Sequence, residues 1–221
     1  LRLEKVCLDP RLMTGFLDST AGVVSMSGTI SPLDMFRDLV GLKPSTILEK
    51  TGSIFPAKNK KIVYLDDVTT SYSELNKKSN LWNKIVSKLE LITTNFDGNI
   101  ALFFPSYKLL ELALENLNLK KPIYREYSGM DQEELMQTVE SFKSDSGAIL
   151  AGVMGGRLAE GIDYPETSLE LAVIVGIPYP SPGVRQNALQ HYYDISFNGR
   201  GWKFAVESPA VRKLLQAAGR V

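Results

Sequence analysis

Short apolar runs recur along this chain and alternate with longer segments of helical periodicity. The runs are rich in β-branched and aromatic residues, and several are apolar on both faces. This pattern is typical of strands in a parallel sheet that helices cover on both sides. It predicts strands over residues 23–26, 61–65, 99–104, 123–127, 147–153 and 171–177.

Two of the intervening segments have a clear apolar stripe. The first, over 73–91, begins at a serine that can cap a helix. Its apolar face consists of Trp82, Ile85, Val86 and Leu89. In the second, the Asp131 carboxylate can cap the helix while Glu134 reaches back. Its apolar face consists of Leu135, Val139 and Phe142. We interpret both stripes as core, and the alternation predicts an α/β doubly wound sheet that binds ligands at the carboxyl ends of its strands.

Composition narrows the classes of function. The chain has 221 residues, of which 44% are hydrophobic, and its 25 basic and 25 acidic residues cancel. Any contact with nucleic acid must therefore be local. Cys7 is the only cysteine and His191 the only histidine, which excludes an internal disulfide, a thiolate cluster and a multi-histidine metal site within these residues. No apolar stretch reaches about 18 residues and no signal peptide is present, so a soluble cytoplasmic protein is expected.

Three turns carry candidate chemistry, and the first covers residues 25–34. It contains Ser27, Gly28 and Thr29, and a helix is predicted to start at Pro32 with Ser31 as its cap. Main-chain amides and hydroxyls at a helix start suit a phosphate. An ordinary capped turn between a strand and a helix is the alternative.

The second turn, residues 155–165, follows the strand that is predicted to end at residue 153. Paired glycines let the main chain approach a ligand closely. The turn also places one cation and two carboxylates close together, namely Arg157, Glu160 and Asp163. The chain has no Gly-x-x-x-x-Gly-Lys-Ser/Thr loop. We therefore expect another domain to hold most of any nucleotide.

The third turn lies at the end of the chain. Gln216 and Arg220 are four residues apart, which predicts that they share a helix face, and Gly219 would let a neighbouring surface come close. One interpretation is an ordinary basic helix. The other is a guanidinium that reaches another domain's triphosphate, since phosphoryl transfer needs positive charge at its transition state.

In order along the chain, these turns resemble the motifs of superfamily 2 helicases of the XPD/DinG type. Residues 27–34, Ser-Gly-Thr-Ile-Ser-Pro-Leu-Asp, resemble motif III, and residues 99–107 resemble motif IV. Residues 155–164 resemble motif V, and residues 216–220, Gln-Ala-Ala-Gly-Arg, resemble the start of motif VI. The resemblance covers nearly the whole chain.

The resemblance implies a RecA-like three-layer domain, with 1–221 as the second motor domain of a longer helicase, truncated within motif VI. Such a helicase hydrolyses ATP with Mg²⁺, moves 5′ to 3′ on single-stranded DNA and acts in nucleotide excision repair. The N-terminal motor domain of the same protein would carry Walker A and B, and a 4Fe-4S cluster is expected only outside this chain. By itself the fragment should be inactive, and no metal site is expected in it.

The family's roles are carried over residue by residue. Arg220 matches the motif VI arginine that faces the ATP phosphates, and Gln216 is its companion; these are the expected catalytic residues. The resemblance places Glu160, Gly161, Asp163, Ser27, Gly28 and Thr29 at the ATP interface, and Ser106, Tyr107 and Arg157 at the DNA. Ala159 departs from the family, because many relatives have Ser there. The second motif VI arginine lies beyond the chain, and if it is the finger, Arg220 has a supporting role.

A further DNA contact is predicted from the residues alone. Trp202 lies beside Arg200 and Lys203 in a glycine-rich loop, where it could stack a base while the cations meet phosphates. The alternative is a tryptophan that fills the edge of the core.

Two other classes of protein compete with the motor. A dinucleotide enzyme of the Rossmann type should show Gly-x-Gly-x-x-Gly after its first strand, and this chain does not. A noncatalytic DNA-binding or scaffold domain that keeps the RecA-like fold has no use for Arg220 and Asp163.

Overall fold

The structure is a computed structural model that describes residues 5–53, 56–77, 80–164 and 168–221. The chain divides into two compact units. The first comprises Leu1–Val63 and Pro180–Arg212, and the second comprises Tyr64–Tyr179 and Lys213–Val221. No helix of the described ranges is long and apolar enough to cross a membrane.

The helices and strands have the following bounds. The α-helices are α1 (Arg11–Thr14), α2 (Leu33–Val40), α3 (Tyr72–Lys77), α4 (Leu81–Thr94), α5 (Tyr107–Asn116), α6 (Gln132–Ser144), α7 (Val184–Ser196) and α8 (Ser208–Ala218). The strands are β1 (Ile100–Phe104), β2 (Ile123–Arg125), β3 (Ile149–Val153) and β4 (Leu171–Ile174). Short 3-10 turns cover Gly15–Ser19 and Ala57–Asn59, and a π-helical turn covers Lys203–Glu207.

A parallel sheet forms the centre of the second unit. Its strand order is β2-β3-β1-β4, and every neighbouring pair is parallel. Ile100 lies opposite Ile149 on one side and Leu171 on the other. The predicted α/β fold is therefore confirmed, as are the strands predicted within 99–104, 123–127, 147–153 and 171–177.

Helices cover both faces of this sheet, as the doubly apolar strands predicted. Alternate residues of β1 point to opposite faces, so that Phe103 packs with the stripe of α6 while Leu102 and Phe104 pack with α4 and α5. Both predicted stripes are core, and the capping box of α6 is confirmed, because Asp131 and Glu134 each accept the other's amide. The helix predicted over 73–91 includes residues 78 and 79, which lie outside the described residues, and Asn80 is the N-cap of α4. The predicted serine cap is wrong, because α3 already begins at Tyr72.

The first unit has a small aromatic core of its own. Phe197 lies 5.3 Å from Tyr193 and 5.1 Å from Phe204, measured between ring centroids. Beside this core, the Asp9 carboxylate accepts hydrogen bonds from the Arg11 guanidinium and the Tyr192 hydroxyl. The Arg11 hydrogen bond is the main reason that the pKa of Asp9 falls to about 2.

Two predicted strands are wrong. Residues 23–26 and 61–65 have irregular backbone, and their apolar side chains face outward: Val24 is 84% exposed, Met26 87% and Ile62 79%. A β-branched sequence favours an extended chain, but a strand also needs a neighbour to complete its hydrogen bonds. No strand of the described part of the chain pairs with either segment.

Candidate functional site

Two turns meet at the carboxyl edge of the sheet in the second unit. Phe104, the last residue of β1, lies opposite Val153, the last residue of β3. The turn after β1 contains Ser106 and Tyr107, and the turn after β3 runs over 154–164, which we call the glycine loop. The Met154 amide donates to the Phe104 carbonyl at 2.8 Å. The residues predicted from motifs IV and V therefore lie together where ligands of such sheets bind.

The glycine loop is anchored by apolar side chains and presents its carboxylates outward. Its buried side chains are Leu158, Ala159, Ile162 and Tyr164. Glu160 is half-buried, whereas Gly161 and Asp163 are exposed. The main chain turns at Gly161 with a φ of 91°, a backbone conformation that residues other than glycine rarely adopt. This arrangement holds the loop firmly and leaves its negative groups accessible.

Arg220 binds the main chain of the glycine loop. Its Nε donates to the Ala159 carbonyl at 2.7 Å and its Nη1 to the Ile162 carbonyl at 2.6 Å. The guanidinium therefore joins the two sides of the turn at Gly161. Two charge-assisted hydrogen bonds of this kind fix both the loop and the cation.

The prediction that Gln216 and Arg220 share a helix face is wrong. Helix α8 ends at Ala218, and the last amide to bond four residues back is that of Gly219. The Arg220 amide instead reaches back three residues to Ala217. Arg220 therefore lies beyond the last residue of α8, whereas Gln216 is half-buried on the helix.

Ser106 and Tyr107 begin α5. Ser106 is its N-cap, and its Oγ accepts the Leu109 amide at 3.3 Å. The Tyr107 hydroxyl donates to Oε1 of Glu126 at 3.0 Å. Burial is the main cause that raises the pKa of Tyr107 from 10.0 to about 12, and the Glu126 carboxylate adds to it.

Glu126 is a residue of this edge that the sequence reasoning missed. It directly follows β2, it is 1% exposed, and it also accepts the Arg157 amide at 3.1 Å. Glu126 lies inside the strand predicted over 123–127, and a carboxylate within a predicted strand of a covered sheet is the signal that could have found it.

The Arg157 guanidinium is engaged with the start of α6. It donates to the main-chain carbonyls of Met130 and Asp131, and its Nη1 also lies 3.5 Å from Oε1 of Gln132. Arg157 is half-buried. Its side chain thus ties the glycine loop to the amino end of α6.

In the first unit, the serine and threonine turn is open and locally bonded. Ser27 and Gly28 are exposed, and the Thr29 amide donates to the Ser27 Oγ at 3.2 Å. The predicted Ser31 cap is wrong: Pro32 itself is the N-cap of α2, and its side chain has no hydrogen-bonding group. Ser31 therefore lies one residue too early to cap α2.

The loop predicted around Trp202 is wrong, because the chain is helical from Gly201 onward and Trp202 is the N-cap of the π-helical turn. Its two neighbouring cations have different surroundings. Arg200 lies 3.0 Å from Asp38 and 3.9 Å from Asp34, and its guanidinium stands 4.8 Å above the Phe204 ring. These contacts hold Arg200 within the fold. Trp202 is 53% exposed and Lys203 is exposed, so both present their side chains to solvent.

Comparisons with known proteins identify a family and several similar proteins. The family of helicase C-terminal domains matches residues 89–221. The chain is 27% identical over 210 residues to ATP-dependent DNA helicase XPD of Sulfolobus acidocaldarius, covering 92% of the chain and 37% of that protein. It is 28% identical over 247 residues to the Fanconi anemia group J protein homolog of Gallus gallus, covering 97% of the chain and 19% of that protein. A probable ATP-dependent helicase of Methanocaldococcus jannaschii is 32% identical over 174 residues, covering 75% of the chain and 26% of that protein.

Solved structures show the same fold. Two XPD structures superpose with TM-scores of 0.66 each, at 23% and 24% identity, and each covers 96% of this chain. The chain spans 39% and 44% of those two proteins. It is therefore comparable to a part of each of these longer proteins.

Proposed function

Because this chain belongs to the helicase C-terminal domain family, we propose that it is the second motor domain of an ATP-dependent DNA helicase. In this proposal the carboxyl edge of its sheet closes on a partner motor domain of the same protein. ATP binding closes the cleft and hydrolysis opens it, which moves the protein along a single strand. The nucleotide excision repair role and the 5′ to 3′ direction belong to the proposal through the likeness to XPD.

The observation that carries the proposal is the Arg220 guanidinium on the glycine loop. It brings a fixed positive charge to the edge where Asp163 and Gly161 are exposed. Among the described residues, Nη2 of Arg220 has no hydrogen-bond acceptor, which leaves it for a phosphate oxygen. Positive charge fixed before the reaction stabilises the transition state of phosphoryl transfer.

The residues present fit one side of a nucleoside triphosphate. A guanidinium and glycine amides can meet phosphate oxygens, but the chain has no Gly-Lys-Ser/Thr loop to cradle them. In this proposal ATP and its Mg²⁺ would therefore be held mainly by the partner domain, and this chain would add positive charge beside the phosphates. In the second unit, the proposal assigns Glu160, Asp163 and Gln216 to the contact with the partner domain. In the first unit, taken by itself, it assigns nucleotide contacts to the amides and hydroxyls of Ser27, Gly28 and Thr29.

Three large apolar side chains of the first unit are exposed, and their exposure supports the proposal that another protein surface covers them. Val24, Met26 and Ile62 are between 79% and 87% exposed. Proteins rarely leave several large apolar side chains in water unless another surface covers them. The partner motor domain is the occupant that we propose.

Single-stranded DNA is the second ligand of the proposal. Ser106, Tyr107 and Arg157 meet its backbone at the sheet edge. In the first unit, Trp202 stacks a base while Lys203, with Arg200 behind it, meets phosphates. Base stacking on an aromatic side chain contributes about 1–3 kcal/mol per base, so Trp202→Ala should weaken single-strand binding about fivefold or more. An unchanged affinity would remove Trp202 from the DNA site.

The test of the motor is ATP turnover by the full-length protein with and without single-stranded DNA. Arg220→Ala should abolish most of the stimulated turnover while ATP still binds, because the transition state loses its charge and the glycine loop loses two hydrogen bonds. Arg125→Ala is the matched control, since Arg125 is an exposed arginine on β2. If Arg220→Ala hydrolyses ATP as fast as the wild type, Arg220 is not the catalytic arginine, and the noncatalytic scaffold gains support.

A further inference from the structure

A buried carboxylate joins the two turns of the sheet edge. Oε1 of Glu126 accepts the Tyr107 hydroxyl at 3.0 Å and the Arg157 amide at 3.1 Å, and Oε2 lies 3.5 Å from the Val153 amide. Tyr107 belongs to the turn after β1, whereas Arg157 belongs to the glycine loop. One oxygen atom is therefore shared between a side chain of the first turn and the main chain of the second.

The surroundings are built for this carboxylate. Glu126 is 1% exposed, and its donors are a phenol and two main-chain amides, all of them neutral. A Cβ atom at position 156 would lie 2.6 Å from Oε2, so glycine is needed there for the carboxylate to approach. Within the described ranges no cation forms a direct ion pair with Glu126, and burial of an unpaired carboxylate opposes folding. A feature that costs stability and joins two ligand-binding turns points to a role beyond folding.

We propose that Glu126 is a positioning residue that couples single-strand binding at the Ser106–Tyr107 turn to ATP hydrolysis at the glycine loop. This inference rests on the proposed motor function. A bound strand that shifts the Tyr107 ring would leave the buried carboxylate short of a donor. Oε1 would then either move with the hydroxyl or form a shorter hydrogen bond with the Arg157 amide. In both cases the glycine loop would shift, and its contacts with Arg220 would change.

The test uses the full-length protein and two variants that change few atoms. Tyr107→Phe keeps the ring and removes the hydroxyl that Glu126 binds. Glu126→Gln keeps the shape of the side chain, but its amide nitrogen must face at least one of the present donors. The measurements are ATP turnover with and without single-stranded DNA, single-strand affinity and thermal unfolding. Tyr127→Phe is the matched control, because it also removes a phenol that donates to a glutamate, Glu134, outside the two turns.

We expect the ratio of stimulated to basal turnover to fall about tenfold in both variants, within the range of coupling between two sites. The double variant should lose little more than either single one, because both break the same link. Tyr127→Phe should keep the wild-type ratio. If Tyr107→Phe keeps the wild-type ratio of stimulated to basal turnover, the inference is overturned, even if Glu126→Gln fails to fold.

Two other outcomes are distinguishable. Variants that unfold at lower temperature but keep the wild-type ratio would show a purely structural role for Glu126, and the inference would fail while the motor stands. A wild-type protein that single strands do not stimulate would overturn the proposed function itself, together with any coupling.

Discussion

Gly156 is the position of the glycine loop where a single methyl group should have the largest effect. A Cβ atom there would lie 2.6 Å from Oε2 of Glu126, 2.7 Å from Cγ2 of Val153 and 2.9 Å from the Val153 carbonyl oxygen. The carbonyl belongs to the end of β3 and cannot move without disturbing the sheet. Overpacking a well-packed site costs about 1–3 kcal/mol. A displaced buried carboxylate loses donors at about 1–3 kcal/mol each, so we expect Gly156→Ala to destabilise the fold by about 2–4 kcal/mol.

Two other glycines separate crowding from backbone conformation. Gly161 has a φ of 91°, but no atom lies within 4 Å of the place that a Cβ atom would occupy, so Gly161→Ala should cost only the strain of a left-handed residue, about 1–2 kcal/mol. Gly28 has neither restriction, and Gly28→Ala should be neutral or stabilising by up to about 1 kcal/mol. From the most to the least stable variant, the expected order is Gly28→Ala, Gly161→Ala and then Gly156→Ala.

Urea unfolding of the three variants and the wild type checks this order. The slopes should agree, so that the midpoints report free energies of unfolding. If Gly156→Ala unfolds at the same midpoint as Gly28→Ala, the glycine loop is not packed around Glu126, and the crowding argument is wrong.

Two further predictions concern polar groups of the second unit. Asn99 is 4% exposed and its side chain makes three hydrogen bonds to the main chain, so Asn99→Ala should lower the free energy of unfolding by about 2–4 kcal/mol. Asn116 is exposed, and Asn116→Ala should change the free energy of unfolding by less than about 0.5 kcal/mol. Equal effects of the two substitutions would contradict the burial argument. The pKa of Tyr107 is raised from 10.0 to about 12, so its contribution to stability is complete below pH 10 and is lost as the pH rises through about 12. The ultraviolet absorbance of phenolate, measured as wild type minus Tyr107→Phe, should show the ionisation of Tyr107 near pH 12. Glu126→Gln should move this ionisation part of the way to pH 10. A difference that titrates at pH 10 in the wild type would show that Tyr107 is neither buried nor hydrogen-bonded to Glu126.

The apolar faces of α4 and α6 and the central strands could be predicted because their signals are local. The capping box of Asp131 and Glu134 needs only residues three apart, and a helix repeats its apolar face every three or four residues. The segments 99–104 and 147–153 are apolar on both faces, which by itself indicates the middle of a covered sheet. Segments 23–26 and 61–65 have the same local signal and still form no strand, because strand formation depends on a neighbour that the segment does not contain.

The composition of the site was predictable, but its internal contacts were not. The glycine loop, the Ser106–Tyr107 turn and the terminal arginine could each be located from residue types and spacing. The order of strands then placed the first two side by side. No spacing rule, however, indicates that Arg220 binds the carbonyls of residues 159 and 162, about sixty positions away.

Sequence alone determined the fold class, the order of the candidate turns and the family, since these depend on periodicity, caps and short motifs. The tertiary structure decided which groups share a hydrogen bond. Glu126 bonds Tyr107 across 19 residues and Arg157 across 31, and it does so because parallel strands bring their carboxyl ends to one edge. A buried carboxylate must take its donors from whatever the fold places around it, and for that reason only the folded chain shows what this residue connects.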